Sequence, residues 1–211
     1  MARRTKAEAL VTYHQLLDAA EQVFAEKGVS RASLQDIAQA AGASRGAIYW
    51  HFKNKADLFN AMMDRIILPM EGAFQQIGHD AAQDPLLELQ QTILEAMRKI
   101  ASDERTRLVF EVATLKVEYV AELLAIKARH VQTHADGVRE MQRSLQEAAA
   151  RRGLSLGVPP SVAAQGLQAL VVGLLHTWLL APHAFELVPV AETVIGTYLA
   201  GLGLTPCRAI P

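Results

Sequence analysis

Five residues between positions 45 and 55 have the chemistry to bind nucleic acid. Arg45 carries a planar guanidinium that can donate two hydrogen bonds to O6 and N7 of guanine in the major groove. Gly46 has no side chain, so the backbone there can approach base edges or a thymine methyl group closely. Tyr49, His51 and Lys55 add aromatic and cationic groups on the same stretch. The cluster favours a DNA-binding surface; the alternative is a surface helix whose cations are merely solvated.

Two short helices joined by a tight turn are predicted to position these side chains. Ser33 and Asp36 form an S-x-x-D pattern, in which a hydroxyl and a carboxylate satisfy free backbone N–H groups at a helix start. Gly42 supplies the conformation that ends this helix. Ser44 caps a second helix after a turn of only a few residues. The pattern predicts a helix-turn-helix over about residues 33–52, with the second helix exposed for recognition.

The large apolar side chains of the second helix are expected to divide between its two faces. Ile48 and Phe52 are four residues apart, so both face inward and are expected to belong to the core. Trp50 leaves two alternatives open, because it could pack against the first helix or lie at the edge of a DNA sugar.

The same stretch resembles the DNA-binding domain of TetR-type repressors. The resemblance is carried by Ile48–Phe52 and by Lys53–Phe59. Leu16–Ala20 and Val23–Gly28 are similar to the first helix of that family. The opening residues, Met1–Lys6, are similar to those of the AcrR-like subgroup, which represses multidrug efflux pumps.

The resemblance implies roles for individual residues. Tyr49 and His51 are expected to bind phosphates, and so is Lys55, at the positive end of helix four. Thr12 is followed by Tyr13, where the family often has an arginine, so a positive charge is lost there. The predicted DNA-binding residues are Ser33, Ser44, Arg45, Gly46, Tyr49, Trp50, His51 and Lys55.

The charge distribution agrees with a nucleic-acid-binding region at the N-terminal end. The 211 residues carry a formal net charge of −1, yet residues 1–56 hold eight Lys/Arg and five Asp/Glu. That excess of positive charge suits an anion-binding head on a mildly acidic body. A single cysteine, Cys207, excludes an intrachain disulfide, and the N-terminal residues lack the apolar core of a secretory signal. We therefore expect a cytoplasmic protein.

Apolar residues recur with helical spacing along nearly the whole chain, which predicts an all-α fold. The predicted division is a three-helix head at residues 1–56, with the helix-turn-helix, and a larger helical ligand-binding and dimerisation domain at 57–211. Helix four, from about residue 55, is shared by both. Pro69 is expected to kink or break that helix, because proline removes a backbone donor. The longest uninterrupted pattern predicts a single helix from Glu118 to Arg152.

The body is expected to bind a small-molecule effector. Methionine and aromatic side chains make adaptable apolar walls, and polar groups in apolar helices need partners. For most of the apolar candidates, ordinary core packing is an equally good explanation. Glu111 in a pocket would favour cationic lipophilic compounds, although a surface ion pair explains it equally well. The predicted ligand-binding residues are Met70, Phe74, Leu94, Met97, Phe110, Glu111, Thr114, His134, Gln168, Val172 and His176.

A long uncharged segment lies near the C-terminal end. Leu154 to Phe185 contains no Asp, Glu, Lys or Arg and is long enough to span a bilayer. Polar residues interrupt it, and a buried helix interface has the same apolar composition. We therefore favour a homodimer interface over a membrane span. The predicted interface residues are Leu167, Leu170, Leu174, Trp178, Val194, Tyr198 and Leu202.

Signatures of catalysis are weak in this sequence. His130 and His134 have a spacing that can bind zinc, but no convincing third ligand accompanies them. We predict no metal, no cofactor and no enzymatic activity. The resemblance implies a repressor of a multidrug efflux operon, released from operator DNA by lipophilic small molecules. The alternatives are a TetR-type regulator of a metabolic operon and, from a different class, an enzyme or carrier with an apolar pocket.

Overall fold

Helices form the regular structure of this protein, as the sequence predicts. The computed structural model describes residues 6–78 and 82–204, and within those ranges it contains no strand. Cys207 and residues 1–5 lie outside the described residues. A 3₁₀ turn, Ala121–Leu123, precedes the seventh helix. The α-helices are α1 (Lys6–Lys27), α2 (Leu34–Ala40), α3 (Arg45–His51), α4 (Lys55–Gln75), α5 (Pro85–Ser102), α6 (Glu104–Leu115), α7 (Leu124–Arg151), α8 (Pro160–Leu180) and α9 (Leu187–Gly201).

The chain forms two compact units. The first comprises the chain up to Ile67 together with Leu108–Val131. The second comprises Leu68–Arg107 and the chain from Gln132 onward. The first unit thus extends past position 56 and includes a segment from the middle of the chain.

The core of the first unit is built from the inner faces of the helices α1 to α4. Helical spacing places the apolar residues of α1 on one side, which buries them together. The rings of Phe24 and Phe59 lie 5.9 Å apart between their centroids and join α1 to α4. The fully or almost fully buried core residues include Leu16, Leu17, Ala20, Phe24, Ile37, Ile48, Leu58, Phe59 and Met62.

The second unit packs α9 against both α5 and α8. Asp84 caps α5 by accepting a hydrogen bond from the backbone N–H of Leu86, with Pro85 at the first helical position. Where α8 meets α9, the Tyr198 hydroxyl donates a 2.8 Å hydrogen bond to the carbonyl of Ala163. A Cβ atom at Gly166 would lie only 2.3 Å from that hydroxyl oxygen, so this glycine allows the two helices to approach closely.

Two sequence expectations about helix bounds need correction. Pro69 does not end α4, which continues to Gln75. The long helix expected from Glu118 begins only at Leu124, because Val120 has an extended backbone before the 3₁₀ turn. The residues ahead of the turn make hydrogen bonds elsewhere in the first unit, as described below.

Candidate nucleic-acid interface

The start of α2 is fixed by a complete capping box. The backbone N–H of Asp36 donates to the Ser33 hydroxyl at 3.1 Å, and the backbone N–H of Ser33 donates to the Asp36 carboxylate at 2.9 Å. The ammonium of Lys27, at the end of α1, lies 2.8 Å from the same carboxylate. These contacts, with Lys27 first and Ser33 second, hold the pKa of the Asp36 carboxyl well below its usual range.

The turn between α2 and α3 has the geometry that the sequence predicts. Gly42 has a φ of +64°, a conformation that favours glycine. The backbone N–H of Ala43 returns to the carbonyl of Ala38 at 2.8 Å. The Ser44 hydroxyl then accepts a 3.2 Å hydrogen bond from the N–H of Ala47 and caps α3. The helix-turn-helix is therefore fixed by local contacts.

The third helix separates an inner apolar face from an outer face. Ile48 is fully buried and Phe52, just after the helix, is 2% exposed, so both belong to the core as predicted. Arg45 and Gly46 are exposed. Tyr49 is also exposed, with half of its surface accessible. The outer face therefore presents the groups that the sequence predicts to contact DNA.

Arg45 and Tyr49 lie together on this outer face. They are four residues apart on α3, and the guanidinium carbon of Arg45 lies 5.7 Å from the centre of the Tyr49 ring. At this distance the negative face of the ring attracts the cation. The ring thus restricts the positions of a side chain whose fork-shaped donor set suits guanine.

Trp50 and His51 occupy the end of α3. Trp50 is 72% exposed, so it does not pack against α1 here. His51 is half-buried, and its ring lies 5.7 Å from that of Tyr13, which in turn stacks on Phe52. Burial, followed by the charges of two nearby aspartates, raises the pKa of the Tyr13 hydroxyl. The tyrosine that replaces the family's arginine therefore takes part in the packing between α1 and the end of α3.

Lys55 differs from the sequence expectation of an exposed phosphate ligand. Its side chain is 5% exposed, and its ammonium donates hydrogen bonds to the carbonyls of Ser30 at 2.7 Å and Ala32 at 3.0 Å. The Glu122 carboxylate lies 3.5 Å away. Because these acceptors surround the ammonium inside the first unit, the side chain does not face outward.

The predicted ligand-binding residues are divided between the two units. Phe110, Glu111 and Thr114 belong to the first unit and are half-buried. The remaining eight belong to the second unit. Within it, Leu94 and Met97 on α5 are core residues, with exposures of 7% and 2%.

The other candidates on the helices of the second unit differ in exposure. His134 and Gln168 are half-buried, and the Gln168 amide packs against Gly137 of α7. Val172 and His176 were expected to line a pocket, but both lie on the exposed side of α8. The reason is that α8 is apolar nearly all round, so composition alone did not reveal which side faces inward.

An open groove between α4 and α5 includes two of the predicted ligand-binding residues, Met70 and Phe74. Its volume is about 150 Å³. Pockets for drug-sized ligands usually have ~300–1,000 Å³, so the groove as it stands would hold only part of such a molecule. The lining residues are Pro69, Met70, Ala73, Phe74, Thr92, Glu95, Ala96 and Lys99.

Several of the predicted dimer-interface residues face the interior of the protomer instead. Leu167 is fully buried and Trp178 is 5% exposed within the single chain. Tyr198 is half-buried and makes the hydrogen bond to α8 described above. The other four predicted residues are half-buried as well: Leu170, Leu174, Val194 and Leu202.

The exposed apolar surface of α8 consists of different residues. Val162, Val172 and Leu180 are 55%, 46% and 62% exposed. Among the described residues, α8 is also the helix that is long and apolar enough to cross a membrane. Core helices of soluble proteins share these properties. These three are therefore the large apolar side chains that α8 exposes in the single chain.

One histidine of the pair considered for zinc has another partner. Within residues 6–78 and 82–204, no three His, Cys, Asp or Glu side chains are grouped to hold a metal ion. His130 forms a 2.8 Å hydrogen bond through Nδ1 with the Tyr119 hydroxyl.

Comparison with known proteins supports the interpretation of this surface. Residues 16–62 match the family described as bacterial regulatory proteins, tetR family. Residues 84–203 match the C-terminal region of the MAATS-type transcriptional repressors. The HTH-type transcriptional repressor BepR of Brucella suis is 39% identical over 201 residues, covering 95% of this chain and 96% of BepR.

Two solved structures are similar over almost the whole chain. NalD of Pseudomonas aeruginosa, the secondary repressor of the MexAB-OprM multidrug efflux pump, is 34% identical, with a TM-score of 0.85. The match covers 92% of this chain and 98% of NalD. SmeT of Stenotrophomonas maltophilia, in a complex with triclosan, is 30% identical, with a TM-score of 0.82 and coverage of 95% and 99%.

The family matches account for both the helix-turn-helix and the helical remainder of the chain, and the members are transcription regulators rather than enzymes. In helix-turn-helix proteins the second helix of the motif enters the major groove of DNA, and α3 is the second helix of the motif in this chain. The protein belongs to the TetR family of bacterial transcriptional repressors, with a C-terminal region of the MAATS type.

Proposed function

We propose that this cytoplasmic protein represses a multidrug efflux operon and leaves its operator when a lipophilic small molecule binds. The observation that carries the proposal is the outward face of α3, where Arg45 and Tyr49 lie together above a buried Ile48. NalD and SmeT are both described as repressors of multidrug efflux pumps. Full-length similarity to them supports a multidrug efflux operon as the target of repression.

DNA recognition in this proposal requires a homodimer. Two copies of α3 would enter successive major grooves about 34–36 Å apart, and a small change in their separation would cost much affinity. The exposed apolar side of α8, with Val162, Val172 and Leu180, is the surface we infer for the dimer contact.

The effector is proposed to be bulky and lipophilic. Met70 and Phe74 on the α4–α5 groove supply adaptable apolar contacts, and Lys99 and Glu95 provide polar groups at its edge. The SmeT complex contains triclosan, a chlorinated aromatic compound, which makes it a suitable first probe. Linkage requires operator DNA to weaken effector binding by the same factor by which the effector weakens operator binding.

A gel-shift titration with the DNA upstream of the protein's own gene tests both parts of the proposal. The wild type is expected to shift this fragment at nanomolar concentrations and to release it when triclosan is added. A scrambled fragment of equal length is the control for nonspecific binding. Replacement of Met70 and Phe74 by alanine is expected to reduce the response to triclosan while operator binding in its absence is unchanged.

Two results would contradict the proposal in different ways. Equal affinity for the upstream and scrambled fragments would show that the protein does not read this operator. Tight calorimetric binding of one polar metabolite, with no response to triclosan or other lipophilic compounds, would favour control of a metabolic operon.

A further inference from the structure

The turn between α1 and α2, Gly28–Ala32, is held by a segment distant in sequence. The backbone N–H of Val29 donates a 3.0 Å hydrogen bond to the carbonyl of Lys116. The Ser30 hydroxyl donates a 3.1 Å hydrogen bond to the carboxylate of Glu118. Both acceptors belong to the connection between α6 and α7, residues 116–123, within the same compact unit.

Lys55 also binds the α1–α2 turn through its side chain. An ammonium group has three hydrogens to donate, and this one has three oxygen acceptors around it. The carbonyls of Ser30 and Ala32 accept at 2.7 and 3.0 Å, and the Glu122 carboxylate of the α6–α7 connection lies at 3.5 Å. Because a buried cation is costly unless it is fully paired, these partners fix the turn strongly.

The position of the turn determines where the helix-turn-helix begins. Ala32 is followed directly by Ser33, which is the N-cap of α2. From there the capping box, the Gly42 turn and the Ser44 cap lead to α3 through local contacts. A displacement of the turn therefore moves α2 and α3 together.

We propose that Lys55 and Glu122 are positioning residues for operator binding. They attach the α1–α2 turn to α4 and to the α6–α7 connection, and they thereby set the orientation in which α3 meets DNA. Lys55 acts through this turn rather than by binding a phosphate. The proposal rests on the operator binding proposed above.

The first test uses Glu122→Gln, because the Glu122 side chain is 63% exposed and its replacement leaves the core intact. Removal of a negative charge from a DNA-binding unit should by itself raise DNA affinity. The proposal predicts the opposite, a fall in operator affinity of about two- to fivefold, the range expected for loss of an ion pair with one exposed partner. Glu26→Gln, at an exposed position of α1 in the same unit, removes the same charge and is expected to bind as tightly as the wild type or slightly more tightly.

The second test uses Lys55→Met and the salt dependence of binding. Operator affinity is expected to fall by at least about tenfold, because two buried carbonyls lose their donor. The slope of log K against log salt is expected to stay unchanged, whereas loss of a phosphate ligand would reduce it by about 1. If this variant fails to fold, Glu122→Gln still decides the question.

Amide exchange tests the attachment without DNA. In Glu122→Gln the Val29 amide is expected to exchange about two- to fivefold faster, since up to ~1 kcal/mol of local stability corresponds to such a factor. The Ala43 amide in the turn after α2 is the internal control.

An unchanged Val29 rate, operator affinity equal to or above that of the wild type in Glu122→Gln, or a flattened salt slope in Lys55→Met would overturn the inference. A wild type that does not bind the upstream DNA would instead contradict the proposed function, and the exchange rates would still decide this inference.

Discussion

At the scale of residues, DNA recognition depends on which side chains α3 leaves outside the core. Arg45 is exposed, and its guanidinium lies over the ring of Tyr49 at 5.7 Å. An exposed cation–π contact is worth ~0.5–1 kcal/mol, enough to bias the rotamers of a long side chain before DNA arrives. Gly46, with only Ser44 Oγ near the position of a Cβ, leaves room for a close approach of the backbone to base edges.

Arg45→Ala is the sharpest test of base recognition. Loss of two hydrogen bonds to a guanine should cost ~1–3 kcal/mol of operator binding and relax the preference at one symmetric pair of positions. Fluorescence anisotropy with a set of single-base operator variants would measure both effects. Lys53→Ala is the matched control. Loss of this exposed cation is expected to weaken binding to specific and nonspecific DNA alike and to flatten the salt dependence of binding.

An Arg45→Ala protein with unchanged affinity and unchanged sequence preference would show that α3 meets DNA in a different register. Tyr49→Phe refines the test, because it keeps the ring beneath the guanidinium and removes only the hydroxyl. Base preference should survive that change if the ring orients Arg45, while phosphate binding through the hydroxyl should be lost.

At the scale of elements, short helices need their caps. α2 has only seven residues, Leu34–Ala40, so its own hydrogen bonds contribute little and the capping box supplies much of its order. α3 is equally short and depends on Ser44 in the same way. Local capping thus contributes to the geometry of the helix-turn-helix.

The cap of α2 makes a prediction about pH. The Asp36 carboxylate is stabilised by Lys27 and Ser33, so its folded pKa lies below the unfolded value of ~3.9. A depressed pKa adds stability that is present above the unfolded value and is lost as the pH falls toward the folded one. Asp36→Asn should therefore lower the Tm at pH 7, and the difference from the wild type should narrow below about pH 4.

Thermal unfolding followed by circular dichroism at several pH values would measure the effect. Glu26→Gln removes an exposed charge from α1 and serves as the comparison. A constant difference in Tm between Asp36→Asn and the wild type from pH 7 to pH 3 would argue against the capping carboxylate as the source.

The contact of α8 with α9 makes a second prediction at this scale. In Gly166→Ala the new methyl group would lie 2.3 Å from the Tyr198 hydroxyl oxygen, so the ring must move and lose its hydrogen bond to Ala163. Overpacking of this kind costs ~1–3 kcal/mol, which urea unfolding would detect. Gly173→Ala is the matched control on the same helix, because nothing lies within 4 Å of its Cβ position.

The two glycine variants are expected to change the free energy of unfolding in opposite directions. Gly173→Ala is expected to stabilise an isolated protomer by ~0.5–1 kcal/mol, since alanine loses less backbone entropy in a helix. If Gly166→Ala were as stable as the wild type, the approach of α9 to α8 would be looser than the structure shows.

At the scale of the whole molecule, the proposed repressor acts as a homodimer in which two protomers bind one operator. Each protomer exposes an apolar side of α8 that would be unfavourable in water. Burial of that side against a second copy would remove it from solvent and fix the spacing of the two copies of α3. An effector then needs only to favour a different spacing in order to release the operator.

Val172→Glu together with Leu180→Glu tests this assembly. Two buried, unpaired charges at the contact should dissociate the dimer, and a monomer can fill only half of a symmetric operator. Sedimentation velocity should show a single species of protomer mass, and the gel shift should be lost. Val131→Glu, at a site 61% exposed on α7, is the control. A double variant that remains dimeric would place the contact elsewhere.

Much of the DNA-binding unit could be predicted from the sequence, because the interactions that shape it are local. The Ser33–Asp36 cap, the Gly42 turn and the pairing of Ile48 with Phe52 each join residues only a few positions apart. A pattern of residue types is therefore sufficient to specify them. The all-α fold follows in the same way from helical spacing.

The tertiary structure decided what the local pattern left open. Lys55 looks like a surface cation in the sequence, but its acceptors at Ser30 and Ala32 come from 25 and 23 residues away, and Glu122 comes from a segment expected to be helical. α8 is apolar on nearly every side, so its composition does not distinguish Leu167, which is buried, from Val172, which is exposed. The packing of other helices, α9 among them, against one side of α8 makes that distinction, because burial depends on neighbours that are remote in the chain.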